Sequence, residues 1–364
     1  MKISVYVPCH NNERTMAQVA LALRNQTRPP EELLFIDDHC SDRSPSIARE
    51  HGFEVLPLGD VYGLAAGRNR AMNRATGDIL AGVDADVAVE PDYVQQVLRQ
   101  FETNANIAAL CGRLEEKYTD TVPDLWRSLH MRLNLGDQPV VNPRILFGGT
   151  TSCRMEALRR IGGWNPKYKT HYEDVDLSQR LRAAGMNLLY APSCRAWHMR
   201  RDSLEAVLWG FWKYQFDAGD LAGNYDSLAS WAKTRLPLNW QFYRNFRLQE
   251  SDCRPLSYVT LLMPWAMILR DLDTLRSRKS FAGDLAGVVQ VARAVLNRCG
   301  AEENVVHWAV DFLDRLAGDL SRAAPQQPPL EQELINAIVR AALESIPDAN
   351  YWQDINVYCY RMAS

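Results

Sequence analysis

Asp84 and Asp86 end the apolar run Asp78-Ile-Leu-Ala-Gly-Val-Asp84-Ala-Asp86, two residues apart. Alternate strand residues face the same way, so the spacing predicts an acidic claw at the open end of a sheet. Hard carboxylate oxygens suit Mg²⁺ or Mn²⁺, ions that share their coordination with substrate phosphates. With 44 acidic residues in 364, one such pair arises by chance, so its meaning depends on its company. Asp37 and Asp38 end a second apolar run, Glu32 to Ile36, and suit ribose hydroxyls or a base N–H. Asp-Asp-His-Cys-Ser-Asp42 also reads as a ligand-free Asx turn. Arg68 follows the small-residue stretch Gly63-Leu-Ala-Ala-Gly67, where a ligand has room and a guanidinium could take a diphosphate bidentately. A solvated helix charge is the plainer reading of that arginine. Downstream, Glu173 and Asp174 open a helix whose Leu177 and Leu181 face the core. A helix start favours acidic residues whatever the protein does, and it also holds a carboxylate ionised and fixed, as a general base requires. His198 follows the strand Leu188 to Pro192 and could add a nitrogen ligand, although a lone histidine is more often structural.

The elements that must position these groups are legible in the first half. Ile3 to Val7 reads as a buried strand breaking at Pro8 into Cys9-His10-Asn11-Asn12-Glu13, and a helix follows over Met16 to Asn25. Strand 32–36, helix 44–51, strand 54–58, helix 63–75 and the Asp84 strand complete a βαβαβαβ series. Such a series predicts a mostly parallel sheet flanked by helices, with ligands beyond the carboxyl ends of its strands. Composition agrees with a globular chain. Hydrophobic residues make up 47%, and a net charge of −3 argues against binding nucleic acid by phosphate neutralisation. Eight cysteines without C-x-x-C pairs, and no signal peptide before the first strand, predict reduced thiols in the cytoplasm.

Taken in order, Val5-Tyr6-Val7-Pro8-Cys9-His10-Asn11, Phe35-Ile36-Asp37-Asp38-His39-Cys40-Ser41-Asp42, Gly67-Arg68-Asn69, Gly77-Asp78 with Asp84-Ala85-Asp86, and Gly162-Gly163-Trp164 with Tyr172 to Leu177 resemble the family 2 glycosyltransferases of GT-A fold over residues 1–205. The resemblance implies a nucleotide-sugar donor, UDP-sugar favoured, a Mn²⁺ or Mg²⁺ ion, and inversion by single displacement. It implies a glycan, lipid-linked or protein acceptor. It assigns Pro8, His10, Glu13, Asp37, Asp38, Arg68 and Asp84 to the nucleotide, and Asp84, Asp86 and His198 to the metal. Asp174 becomes the general base, and Gly149, Thr150, Trp164 and Glu173 fall to the donor sugar and acceptor. The chain departs from the usual pattern where Cys9-His10 replaces Ser-Tyr and His39-Cys40 replaces Gly-Ser. A nucleotidyltransferase would need a Gly-rich signature with Arg and Lys after the first strand, which is missing. The alternative from another class is a non-catalytic sugar-nucleotide-binding scaffold with a helical, partner-binding tail.

Beyond residue 205 the pattern is helical, giving a helical domain over 206–320, a Pro/Gln linker over 321–330 and a terminal helix and tail over 331–364. Leu208, Trp209, Phe211, Trp212 and Phe216 cover too much of a helix circumference for it to stand free. Pro255 to Leu269 is too short to span a membrane and suits either burial or a peripheral contact with the inner membrane face.

Overall fold

Seven consecutive buried residues make the first strand, β1 (Ile3–Cys9), a run that suits a strand covered on both faces. In the computed structural model, which describes residues 1–216, 225, 227–250, 256–277, 281, 283–322 and 327–346, β2 (Glu32–Asp37) and then β3 (Glu54–Pro57) lie on one side of β1. On its other side lies β4 (Ile79–Gly82), and all three pairings are parallel. The connections are α1 (Glu13–Arg24), α2 (Ser44–Glu50) and α3 (Leu64–Arg74), as the alternating pattern predicts. Met16, Val19 and Leu23 of α1 pack on the face carrying Val5 and Phe35, while Ala65 and Ala71 of α3 pack on the face carrying Tyr6 and Ile36.

The expected Asp84–Asp86 strand is corrected at this point. Strand β4 stops at Gly82, and Val87 N donates to Asp84 O at 3.0 Å, closing a turn that leads into β5 (Val87–Val89). The two carboxylates are therefore placed by a turn, and strand parity does not align them. Then follow α4 (Tyr93–Thr103), β6 (Ile107–Glu116), α5 (Val122–His130), β7 (Val140–Val141), a 3₁₀ turn (Gly148–Thr150), β8 (Thr151–Arg154), α6 (Met155–Arg160), α7 (Glu173–Ala183) and β9 (Asn187–His198). The strand order is β3-β2-β1-β4-β8-β6-β9-β5, with β7 added on β9. Strand β8 enters from a loop without a crossover helix and runs antiparallel to both β4 and β6. The sheet is accordingly mixed, with parallel pairing dominant only in its first half.

Two compact units result: Met1–Thr119 with Met131–Arg201, which holds the sheet, and Asp120–His130 with the chain from Asp202 onward. The second unit is helical throughout its described elements: α5, α8 (Leu204–Phe216), α9 (Leu228–Gln249), α10 (Ser257–Ser277), α11 (Ala286–Arg298), α12 (Glu303–Ser321) and α13 (Gln332–Leu343). Leu256 and the stretch from Tyr258 to Leu272 are buried inside it, so this run offers no lipid-facing patch. No helix among the described residues is long and apolar enough to cross a membrane. In the aromatic helix α8, Leu208, Phe211 and Trp212 are buried, and Trp209 lies under the Arg270 guanidinium at 4.2 Å. The Pro/Gln segment is anchored where it is described, since Pro328 O accepts from Asp284 N at 2.8 Å and Leu330 is buried. The expected tail over 347–364 lies outside the described residues. The six described cysteines are free thiols.

Candidate active site

The turn after β4 sends its two carboxylates in different directions. Asp84 Oδ1 lies 3.4 Å from Arg68 Nη2, whereas Asp86 Oδ2 lies 3.3 Å from His198 Nε2. Antiparallel pairing of β5 with β9 sets Val87 opposite His198, and Met199 N donates to Asp86 O at 2.7 Å. Asp86 and His198 meet for that reason. Both carboxylates line one cavity of about 760 Å³, within the usual range for small-molecule sites. It is also lined by Pro8, His10 and Asp38, from the strand-end loops that the sequence pattern points to, and by Gly63 and Gly67 at the start of α3. There His10 Nδ1 lies 2.6 Å from Asp38 O, and Asp38 Oδ2 accepts from Gly63 N at 3.0 Å. Asp37 takes the turn role instead: its Oδ1 accepts from Cys40 N at 2.9 Å, and it does not line the cavity. Glu13 accepts from Arg43 N at 3.1 Å and faces a neighbouring recess that shares Asp86 with the main cavity.

Arg68 is buried and does not line the cavity, so the expected contact with a diphosphate gives way to a different role. Its Nη1 donates to Tyr6 Oη at 3.0 Å and to Gly148 O at 3.2 Å, and its Nη2 reaches Asp84 and, at 3.2 Å, Glu173 Oε1. The guanidinium thus ties the strand-end carboxylate to the start of α7. Gly148 makes the meeting possible, since a Cβ there would lie 3.0 Å from Arg68 Nη2, 3.2 Å from Glu173 Oε1 and 3.4 Å from Asp174 Oδ2. Asp174 is half-buried, with Oδ2 accepting from Gly148 N at 3.1 Å and Oδ1 from Val175 N at 2.7 Å. Three of the residues expected near the sugar serve the interior. Thr150 is buried and bonded to Gly112 N at 3.2 Å, Trp164 packs edge-on to Tyr6 with ring centroids 6.3 Å apart, and Glu173 is buried against Arg68. Gly149 abuts Asp84, to whose Oδ2 an added Cβ would come within 3.2 Å. Tyr6 and Lys169 were not legible as site residues. Tyr6 hides in an apolar strand, and Lys169 lies in an aperiodic loop whose backbone O accepts from Leu64 N at 2.6 Å at the cavity edge.

Electrostatics separate these carboxylates. Burial pushes Glu173 up to about 7 and raises Asp174 and Asp84, and the Arg68 charge, which favours their ionised forms, does not offset it. Burial acts on Asp86 in the same sense, but the charge and hydrogen bond of His198 outweigh it and hold Asp86 below its ordinary value. For His198, burial would lower the pKa, yet Asp86 and Glu116 together raise it to about 10. Among the described residues no three His, Cys, Asp or Glu side chains converge as a metal cage. Asp86 Oδ2 and His198 Nε2 do converge beside an open cavity. One or two protein donors with room for phosphates and water is the provision that Mg²⁺ and Mn²⁺ ordinarily use, so the residues present fit such an ion.

A mixed sheet flanked by helices, with an acidic cleft beyond its strand ends, defines a domain of GT-A type. Residues 4–162 match the model of glycosyl transferase family 2. Relatives include the pre-mycofactocin glycosyltransferase of Mycobacterium tuberculosis, 28% identical over 211 residues that cover 56% of this chain and 43% of that protein. The poly-β-1,6-N-acetyl-D-glucosamine synthase of Staphylococcus epidermidis is 21% identical over 220 residues, covering 58% and 52%. The chain therefore spans about half the length of these relatives. A solved mannosyltransferase from Pyrobaculum calidifontis, in complex with GDP-Man and Mn²⁺, superposes with a TM-score of 0.45 at 14% identity, over 89% of this chain and 88% of that one.

Proposed function

We propose that the amino-terminal unit transfers a sugar from a nucleoside-diphosphate sugar, first among them a UDP-sugar, to an acceptor hydroxyl with inversion. The observation that carries the reading is a single cavity lined both by Pro8, His10 and Asp38 and by the carboxylates Asp84 and Asp86. Asp38 is placed to orient the nucleoside by accepting hydrogen bonds. Asp86 and His198 would hold a Mn²⁺ or Mg²⁺ ion, whose chemistry is to stabilise the charge on the departing diphosphate. Asp174 takes the proton of the attacking hydroxyl. Its two backbone donors fix the carboxylate, and its raised pKa strengthens it as a base near neutral pH. Arg68, which touches both Asp84 and Glu173, keeps donor and base elements in register. Acceptors to be tried are glycans, lipid-linked saccharides and protein hydroxyls.

The test is nucleotide release from a panel of nucleotide sugars, with Mn²⁺ and then with EDTA. Slow donor hydrolysis that EDTA abolishes is expected. Donor binding without turnover across the whole panel, with every acceptor class, would replace the transferase by a sugar-nucleotide-binding scaffold.

A further inference from the structure

We infer that Glu116 is the positioning residue for His198, holding the imidazole so that Nε2 is turned to Asp86 and to a divalent cation beside it. The inference rests on the metal-assisted reading above and adds to it a residue that lines neither the main cavity nor the recess beside it. Glu116 Oε1 lies 2.9 Å from His198 Nδ1, while His198 Nε2 lies 3.3 Å from Asp86 Oδ2, so the ring is held at both ends. His198 and Glu116 side chains are only 11% and 9% exposed, which leaves little room for the ring to turn. A carboxylate that accepts from Nδ1–H keeps the proton on that nitrogen and leaves the Nε2 lone pair for a cation.

The backbone builds this contact. Strands β6 and β9 run parallel, with Gly112 opposite Ala191 but the next residue, Arg113, opposite Arg195, so β9 carries three extra residues at a bulge. Gly112 allows it, because a Cβ there would lie 2.2 Å from Cys194 O. After the shift Glu116 stands level with His198. The adjacent Glu115 is engaged elsewhere, with Arg113 at 2.6 Å and Arg195 at 3.3 Å, which leaves Glu116 as the carboxylate of this strand end that meets the histidine. An unshifted ladder would have set residue 116 beside a different part of β9.

The experiment is Mn²⁺ binding to the full chain in the presence of UDP, followed by the electron paramagnetic resonance of free Mn²⁺. Wild type, Glu116→Ala, Glu116→Gln, His198→Ala and the double variant Glu116→Ala/His198→Ala are compared, with thermal melts to verify folding. Glu116→Ala should weaken Mn²⁺ binding about 10- to 100-fold, and Glu116→Gln, which keeps an acceptor oxygen, should recover part of that. In the His198→Ala background, removing Glu116 should cost nothing further, the signature of one residue acting through the other. Folded Glu116→Ala with wild-type Mn²⁺ affinity, or equal losses with and without His198, overturns the inference. If Glu116→Ala does not fold, Glu116→Gln decides in the same cycle. Wild-type protein that takes up no Mn²⁺ with UDP overturns the metal-assisted reading itself, and this inference with it.

Discussion

Asp174 and Glu173 stand side by side at the start of α7, yet their surroundings give them different work. Asp174 is half-open and held by two backbone N–H groups, whereas Glu173 is buried against Arg68. Asp174→Asn keeps the shape and loses the proton acceptor. We expect that variant to bind donor normally in calorimetry and to transfer about 10²- to 10⁴-fold more slowly. Loss of donor binding would instead make Asp174 a part of the nucleotide site. Glu173 supplies a pH signature. Its pKa is raised by burial from an ordinary 4.5 to about 7, so between those values the folded chain holds a proton that the unfolded chain has released. Stability therefore falls as pH rises through that window. Glu173→Gln, neutral at every pH, should be relatively more destabilising at pH 5 than at pH 8 in urea titrations. A cost independent of pH would show that Glu173 titrates as an ordinary carboxyl.

At the scale of elements, the helices of the second unit are bound by a buried charge. Asp271 on α10 accepts a bidentate pair from Arg235 on α9, Nε to Oδ2 at 2.9 Å and Nη2 to Oδ1 at 3.0 Å. The indole N–H groups of Trp212 and Trp231 complete it at 2.8 and 3.0 Å, so α8, α9 and α10 share one carboxylate. Asp271→Ala leaves a buried guanidinium without its partner, and breaking such a pair costs about 3–5 kcal/mol. Tryptophan-monitored urea unfolding should show a loss of that size. A change under about 1 kcal/mol would mean that solvent replaces the carboxylate freely.

For the molecule as a whole, the consequential feature is that α5 belongs to the second unit although both flanking segments belong to the first. Trp126 is fully buried there, donating to Thr260 Oγ1 at 2.8 Å and packing edge-on against Phe211 and Phe246. A fragment ending at residue 205 keeps this helix but removes Phe246 and Thr260. Uncovering a tryptophan and its neighbours exposes an apolar patch large enough to drive association. We expect the 1–205 fragment to aggregate in size-exclusion chromatography with light scattering. The same fragment with 120–130 replaced by a Gly/Ser linker should run as a monomer. A monodisperse 1–205 fragment with α5 intact would show that this helix is stable without its unit.

Local sequence determined the strands and helices of the first 80 residues, because a buried parallel strand must be written as an apolar run and its loops as polar breaks. It therefore also located Pro8, His10, Asp38 and the Asp84–Asp86 pair at one rim. Pairings between distant segments decided the rest. Asp84 and Asp86 look equivalent by spacing, but a turn gives one to Arg68 and the other to His198, a partner 112 positions along the chain that only the β5–β9 ladder brings near. Arg68 and Trp164 read as ligand contacts until burial assigned them to the interior. The antiparallel β8, the Glu116–His198 contact and the allegiance of α5 share one cause: each depends on which surfaces meet after folding, and no local period in the sequence records that.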